Sequence, residues 1–188
     1  IRDRLDIIRQ TNKSNVYWSI TTNLVYPLTD RHIELFNMMQ PYHDRSIKLI
    51  QTSWDPVIRF KSKRQLSQWT DNVHSLINNG IEVQPTICIT SALISDYTPE
   101  AVFDYMKALG VNRINFERLT YTGRAINQTI SINKNTIPLI PNNRQIDQWL
   151  FDAYKTSKQP KYQHITIPIF QGVEQSIKGE FLGCRARK

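Results

Sequence analysis

Four apolar segments, each ending in small polar residues, alternate along the chain with segments of helical periodicity. They cover residues 16–24, 47–51, 81–90 and 112–118. Between them, apolar residues recur at the i, i+3, i+4 spacing typical of amphipathic helices. Strands that alternate with helices pair in parallel, so the polar ends of all four strands meet at one edge of one sheet. Because α/β folds bind ligands at that edge, the strand ends are the candidate functional positions.

Residues with strong capping preferences predict where the helices begin and end. Thr29 is a candidate N-cap, and Asn79-Gly80 and Gly110 are candidate C-terminal caps. Thr98, followed by Pro99 and an acidic residue, favours a helix start. The predicted helices cover residues 30–40, 65–79, 98–110 and 144–156, with a fifth strand at 164–170 and a short helix at 172–178. Residues 119–143, rich in Thr, Asn, Gly and Pro, are predicted to form an irregular loop.

The composition is that of a globular protein, and no membrane partner is expected. The 188 residues are 40% hydrophobic and 10% aromatic, enough for one domain or a large piece of a barrel. No apolar run approaches the roughly 20 residues that span a bilayer, and the charged first residues do not resemble a signal peptide. We therefore expect a cytoplasmic protein. Because the sequence opens on Ile1 and closes shortly after Cys184, we also expect it to be part of a longer chain.

A net charge of +8 raises the question of nucleic acid. The basic residues are spread along the chain, and the one tight cluster is formed by Arg59, Lys61, Lys63 and Arg64. Charge alone supplies only non-specific attraction to phosphates. A solvated basic face is the simpler interpretation, and no nucleic-acid partner is expected.

Few residues outside the strand ends suggest chemistry. The chain has no Gly-rich phosphate loop and no Gly-x-Ser-x-Gly motif, and its four histidines lack the spacing of metal ligands. Cys88, within an apolar strand, is predicted to be a buried small hydrophobe. Cys184 differs because it follows a Gly in a polar segment.

The strand ends themselves offer hydroxyl, amide and carboxylate groups. Thr22-Asn23 and Ser53-x-Asp55 could hold the amine, carboxylate or ribose hydroxyls of a polar ligand. The alternative is that these residues serve ordinary turns. Glu117 and Arg118 alternate in direction, so that one points inward and the other toward the helices. Glu117 is a candidate acid–base group, for which a salt bridge is the simpler interpretation.

Several motifs resemble radical S-adenosylmethionine enzymes. The strand ends Thr21-Thr22-Asn23-Leu24 and Ser53-Trp54-Asp55-Pro56, the latter followed by Arg59, resemble that family's T-T-N-G and S-[LI]-D-G motifs. Further matches are Asn79-Gly80-Ile81-x-Val83, Leu109-Gly110-Val111-x-x-Ile114-x-Phe116 and Leu119-x-x-x-Gly123-Arg124-Ala125. Gly183-Cys184 resembles the start of the auxiliary-cluster (SPASM or twitch) extension.

The resemblance implies a partial (β/α) barrel of parallel strands over residues 1–170, followed by a linker and the start of the auxiliary-cluster domain at 171–188. It implies that Thr22 and Ser53 contact S-adenosylmethionine, that Asn23 and Asp55 shape the site, and that Glu117 and Gly123 line the substrate side. Cys184 becomes a candidate ligand of an auxiliary cluster. The implied partners are a substrate, with a peptide as one candidate, and an electron donor such as flavodoxin or ferredoxin.

This chain departs from the family at both strand-end motifs and in the motif that binds iron. Leu24 and Pro56 stand where the family has Gly, and the Cys-x3-Cys-x2-Cys motif that binds the [4Fe–4S] cluster is absent. The cluster needs thiolates, so this chain alone is not expected to cleave S-adenosylmethionine. The alternative function is a barrel without a cluster that binds a nucleotide, RNA or a partner without catalysis.

Overall fold

The structure, a computed structural model, describes residues 20–37, 48–60, 62–119, 128–132 and 134–168. Four parallel strands form one sheet, and their order across the sheet follows their order in the chain. The strands are β1 (Ile20–Thr21), β2 (Lys48–Ser53), β3 (Ile81–Ile89) and β4 (Asn115–Arg118). The predicted parallel α/β sheet is therefore confirmed.

Five α-helices and a hairpin accompany the sheet in the described part of the chain. The helices are α1 (Asp30–Asn37), α2 (Lys63–Asn78), α3 (Ser91–Asp96), α4 (Pro99–Ala108) and α5 (Asn143–Ser157), and the hairpin pairs β5 (Thr129–Ile132) with β6 (Asn135–Pro138). Thr98 caps α4 by accepting a hydrogen bond from the Ala101 N–H, as predicted. Gly80 and Gly110 adopt the left-handed φ angles of +72° and +76° that end α2 and α4.

Two elements were not predicted from the sequence. Residues 91–96 form helix α3, and the expected irregular loop contains the hairpin β5–β6. Helix α3 is only six residues long, and the Ser91 N–H at its start donates to the Leu139 carbonyl. That contact joins residues far apart in the chain. The hydrophobic periodicity of a short segment therefore could not predict it.

The predicted fifth strand at 164–170 is also corrected. Within the described residues it is reduced to a single parallel bridge between Thr166 and Arg113. Pro168 has no N–H with which to extend that pairing. The end of the predicted strand and the short helix at 172–178 lie outside the described residues.

The sheet has one apolar face, and the helices pack against it. Its buried side chains include Ile50, Val83, Ile87, Ile89 and Phe116. The Phe116 ring contacts Phe103 of α4 and Trp149 of α5 at centroid distances of 6.3 and 5.3 Å. From α2, the indole Nε1 of Trp69 donates a hydrogen bond of 3.1 Å to the buried Thr52 hydroxyl. Helices α2, α4 and α5 thus cover the same side of the sheet.

Asn72, a buried residue of α2, fixes the segment that follows β1. Its Nδ2 donates to the carbonyls of Leu24 and Tyr26 at 2.8 and 2.7 Å, and its Oδ1 accepts from the Leu28 N–H at 3.1 Å. Leu24 has a φ of +52°, a left-handed conformation that costs a non-Gly residue about 1–2 kcal/mol. The burial of Leu24 and the hydrogen bond to its carbonyl offset that cost.

We expect Asn72→Ala to lower the free energy of unfolding by at least about 2 kcal/mol, because it leaves backbone groups of residues 24–28 without partners. Asn78→Ala is the matched control, since it changes the same residue type at an exposed position of the same helix. Urea unfolding followed by tryptophan fluorescence measures both variants. Equal stability of the two variants would contradict the role given to Asn72.

Candidate functional site

The face of the sheet opposite the helices carries polar side chains in register. We call it the polar face, and it consists of Thr21, Gln51, Ser53, Gln84, Thr86, Cys88, Asn115 and Glu117. Paired residues of neighbouring parallel strands point to the same side of a sheet. Three rows therefore cross it. The first is Thr21–Gln51–Gln84, the second Ser53–Thr86–Asn115, and the third Cys88–Glu117 at the C-terminal edge.

Asp55 organises the turn that follows β2. Its Oδ1 accepts hydrogen bonds from the backbone N–H groups of Val57 and Ile58 at 3.2 and 2.9 Å, and its carbonyl accepts one from the Arg59 N–H. Burial raises the pKa of the Asp55 carboxyl above its usual value, against the opposing effects of these hydrogen bonds and of the Arg59 charge. Asp55 therefore stabilises the turn by accepting these hydrogen bonds, and it also lies at the edge of the sheet.

The end of β1 is arranged differently from the motif-based expectation. Thr22 continues the ladder by donating its N–H to the Gln51 carbonyl, whereas strand alternation brings Thr21 to the polar face. The Thr21 hydroxyl lies 3.3 Å from Gln51 Oε1. The Thr22 hydroxyl accepts the Leu24 N–H at 3.4 Å, and Asn23 is exposed. Contact of Thr22 and Asn23 with a ligand stays a prediction.

Cys88 does not have the surroundings that the sequence suggested. It is half-buried on the polar face, because alternation along β3 places it opposite the buried Ile87 and Ile89. Burial raises the pKa of the Cys88 thiol, and the negative charges of Glu117 and Asp55 raise it further, while the Arg59 charge lowers it. The thiol therefore stays protonated at neutral pH. Glu117 is the register partner of Cys88 on β4, and Asp55 and Arg59 follow β2 at the same edge of the sheet.

Glu117 and Arg118 point to opposite sides of the sheet, as predicted. Glu117 is exposed at the edge and accepts a hydrogen bond of 3.3 Å from Asn115 Nδ2. Arg118 forms an ion pair with Asp147 of α5. Among the residues that the structure describes, Glu117 has no ion-pair partner, so the salt-bridge interpretation gains no support there.

The remaining candidates divide between described and undescribed residues. Gly123 and Cys184 lie outside the described residues. Among residues 20–37, 48–60, 62–119, 128–132 and 134–168, no group of three or more His, Cys, Asp or Glu side chains is placed to hold a metal ion. The three thiolates that an iron–sulfur cluster needs are not found near Cys88 in this part of the chain. The described residues therefore do not fit the main cluster of the family.

A separate groove lies at the start of α5, away from the polar face. It has a volume of about 450 Å³, and its lining residues are Ile94, Asn142, Arg144, Gln145, Gln148, Trp149 and Asp152. It was not predicted from the sequence because one wall comes from α3, which was not predicted either. The side-chain amides of Asn142 and Gln145 already accept backbone hydrogen bonds at the start of α5, where the two residues form a capping box.

We expect Asp55→Ala to lower the free energy of unfolding by about 1–3 kcal/mol, because the N–H groups of Val57 and Ile58 lose their acceptor. Asp55→Asn, the matched control, keeps an acceptor oxygen without the charge. A raised native pKa means that ionising Asp55 costs stability as pH rises. The stability of Asp55→Asn relative to the unchanged protein should therefore increase between about pH 3 and pH 7. A decrease over that range in urea unfolding would contradict the assignment.

In a Cys184→Ser background, we expect Cys88 to react with iodoacetamide at pH 8 more slowly than an exposed cysteine, because its raised pKa leaves little thiolate. Glu117→Gln should speed the reaction by removing a nearby negative charge. Asp71→Asn is the control, since it removes one negative charge from an exposed position of α2, on the other side of the sheet. Equal acceleration by both substitutions, measured by mass spectrometry, would show that the effect is not local.

Comparisons with known proteins add no family to this description. A scan against protein-family models and a search of curated proteins both find no match to the chain. None of the described helices is long and apolar enough to cross a membrane. The resemblance to radical S-adenosylmethionine enzymes therefore depends on the quoted motifs and on the geometry in which the described ones lie.

Proposed function

We propose that this chain is the S-adenosylmethionine-binding part of a radical S-adenosylmethionine enzyme, built on a partial (β/α) barrel. The observation that carries the proposal is the meeting of two motifs at one sheet edge. The segments 21–24 and 53–56 follow adjacent parallel strands, and Thr22 and Ser53 lie near the ends of those strands. Ligands of parallel α/β sheets bind at such edges.

The backbone at Leu24 supports the same interpretation of the first motif. The family has Gly at this position, and Gly adopts positive φ at no steric cost. Leu24 has a φ of +52°, so the turn keeps the conformation that a Gly favours although the side chain differs. Leu therefore replaces Gly at this position, while the backbone keeps a conformation that is compatible with the motif.

The strand order supports a barrel. Doubly wound sheets reverse their strand order, which puts helices on both faces. Here the order runs β1-β2-β3-β4 without reversal, and α2, α4 and α5 pack on one face. Right-handed crossovers in such a sheet keep the helices on one side. The polar face would then line the interior of the barrel.

The polar face offers suitable partners for S-adenosylmethionine. Hydroxyls of Ser53 and Thr86 would hydrogen-bond the ribose hydroxyls, and the carboxylates of Asp55 and Glu117 would attract the cationic sulfonium and amino groups. In this family a [4Fe–4S] cluster supplies the electron for reductive cleavage. The two cysteines of this chain do not fit that cluster, so we assign to these residues binding and orientation only. The cytoplasmic location, the peptide substrate and a flavodoxin or ferredoxin partner belong to the same proposal.

The test is a titration of the ¹⁵N-labelled protein with S-adenosylmethionine, followed by two-dimensional NMR. We expect saturable shifts of backbone amides in residues 53–59 and 86–89. Ser53→Ala should weaken binding by about three- to tenfold, as the loss of one hydrogen bond predicts. Ser95→Ala is the control, because Ser95 is exposed on α3.

The titration also separates this proposal from a binding function without catalysis. Arg59, Lys63 and Arg64, which lie between the end of β2 and the first turn of α2, are exposed, and this basic cluster is the feature that favours RNA. Absence of shifts at the strand ends would remove the S-adenosylmethionine proposal. If RNA then bound with an affinity that falls steeply with salt, the module that binds without catalysis would replace it.

A further inference from the structure

The β5–β6 hairpin stands apart from the parallel sheet. No third strand of the described chain pairs with it, and the side chains of Thr129, Ser131, Thr136 and Pro138 are exposed. Only its base is anchored, because Leu139, which directly follows β6, is buried. A hairpin of two strands is at best marginally stable in water and gains stability when a further strand joins it. The outer edges of this hairpin are therefore candidate binding surfaces.

The base of the hairpin lies at the C-terminal edge of the parallel sheet. The Leu139 carbonyl accepts a hydrogen bond of 3.0 Å from the Ser91 N–H, and Ser91 comes shortly after the end of β3 at Ile89. Cys88 and its register partner Glu117 lie at the same end of the sheet. A ligand held along the hairpin would therefore extend to the candidate functional edge.

The pairing of the two strands determines which backbone groups point outward. The Leu139 N–H donates to the Gln128 carbonyl at 2.8 Å, so residues 128 and 139 form a hydrogen-bonded pair. In an antiparallel ladder such pairs alternate with pairs whose backbone groups point away from the partner strand. The pairs of this second kind are Thr129–Pro138 and Ser131–Thr136. The N–H and C=O groups of Thr129 and Ser131 therefore form the outer edge of β5.

The two outer edges of the hairpin differ in how they are protected. Natural proteins protect exposed strand edges with proline or with charged side chains. β6 has Pro138 at an outward position, where it offers no N–H to a further strand. β5 (Thr129–Ile132) contains neither proline nor a charged residue. Within the described hairpin, β5 is thus the edge that offers donors and acceptors in a regular row.

The size of this edge favours a peptide over a second copy of the chain. β5 has four residues, and pairing two such strands buries far less than the roughly 1,200 Å² of a stable protein–protein interface. An extended peptide gains main-chain hydrogen bonds from β5 and can continue past the base of the hairpin to the edge of the sheet. Its side chains would alternate between the face that carries the half-buried Ile130 and Ile137 and the face that carries Thr129 and Ser131.

We propose that β5 binds an extended peptide segment, with alternating apolar and uncharged polar residues, as a third strand of the hairpin. The apolar side chains of the segment contact the face of Ile130 and Ile137, and its polar side chains lie beside Thr129 and Ser131. The end of the segment is held near Glu117 at the C-terminal edge of the sheet. This binding does not require S-adenosylmethionine, whereas the role of the segment as a substrate rests on the proposed function.

Other features of the described chain carry no such inference. Trp54 Nε1 lacks a hydrogen-bond partner there, but the residue is 1% exposed and its ring packs against Tyr97 and Tyr105 at 5.5 and 5.3 Å. Those contacts leave no approach for a ligand. In the groove at α5, Gln148 donates its side-chain hydrogen bond to Asp152 of the same helix. The edge of β5 combines unpaired backbone groups with a position beside the candidate site.

The test is a titration of the ¹⁵N-labelled protein with a synthetic peptide, without S-adenosylmethionine, followed by two-dimensional NMR. The peptide alternates valine and threonine and carries a lysine at each end for solubility. We expect saturable shifts and slower hydrogen exchange of the Thr129 and Ser131 amides. The matched control is the same peptide with its backbone nitrogens methylated, which keeps the side chains but donates no main-chain hydrogen bonds. It should bind at least about tenfold more weakly.

Ser131→Pro and Thr136→Pro form a matched pair of variants. Each removes one outward N–H and keeps the cross-strand hydrogen bonds, because residues 131 and 136 face each other in a pair that shares none. Ser131→Pro should weaken binding of the peptide by about five- to tenfold, whereas Thr136→Pro should leave it unchanged. Unchanged amide signals of Ile130 and Ile137 show that the hairpin is retained. The methylated peptide tests the same edge without altering the protein.

Three results overturn the proposal, namely no saturable shift of the β5 amides, equal binding of the methylated peptide, or equal loss of binding in the two variants. Shifts of Thr129 and Ser131 that depend on protein concentration would also overturn it, since a second copy of the chain would then occupy the edge. Peptide binding without S-adenosylmethionine binding would keep β5 as a peptide site and remove its role for a substrate. S-adenosylmethionine binding without peptide binding would remove this inference alone.

Discussion

The difference between the two faces of strand β3 constrains the rest of the structure. Along its second half apolar and polar residues alternate, since Ile87 and Ile89 are buried toward the helices while Thr86 and Cys88 face the other way. A strand with this pattern is stable when its apolar face is covered, and here the helices cover it. Because β3 lies between β2 and β4, its register aligns the polar residues of both neighbours.

Helix α2 links that constraint to the candidate site through two buried polar contacts. Trp69 bonds the Thr52 hydroxyl within β2, and Asn72 bonds the backbone that follows β1. Each contact satisfies groups whose burial without a partner would cost more than the hydrogen bond itself contributes. The two strand ends that carry the quoted motifs are therefore held by one helix. A shift of α2 by one residue would break both contacts, which fixes the geometry of the edge.

Features set by local signals were predictable from the sequence, and features set by partners distant in the chain were not. The helix cap at Thr98 depends on the residue itself and appears where expected. Ser53 was placed at a strand end because the sequence itself shows an apolar run that is followed by polar residues. The position of Gln84 was not, because it depends on register between strands. The motif placed Thr22 at the site, whereas alternation brings Thr21 to the polar face. A shift of one residue exchanges the faces of a strand, so motif positions predict an edge more securely than they predict a contact.

The charge at that edge differs from the charge of the whole protein. The chain carries a net charge of +8, yet the groups that act on Cys88 are the carboxylates of Asp55 and Glu117 and the single cation Arg59. Arg118 follows Glu117 in the sequence, but it is paired with Asp147 on the helix side of the sheet. The edge is therefore locally negative, and a cationic group placed there gains attraction that the surrounding basic surface does not offer.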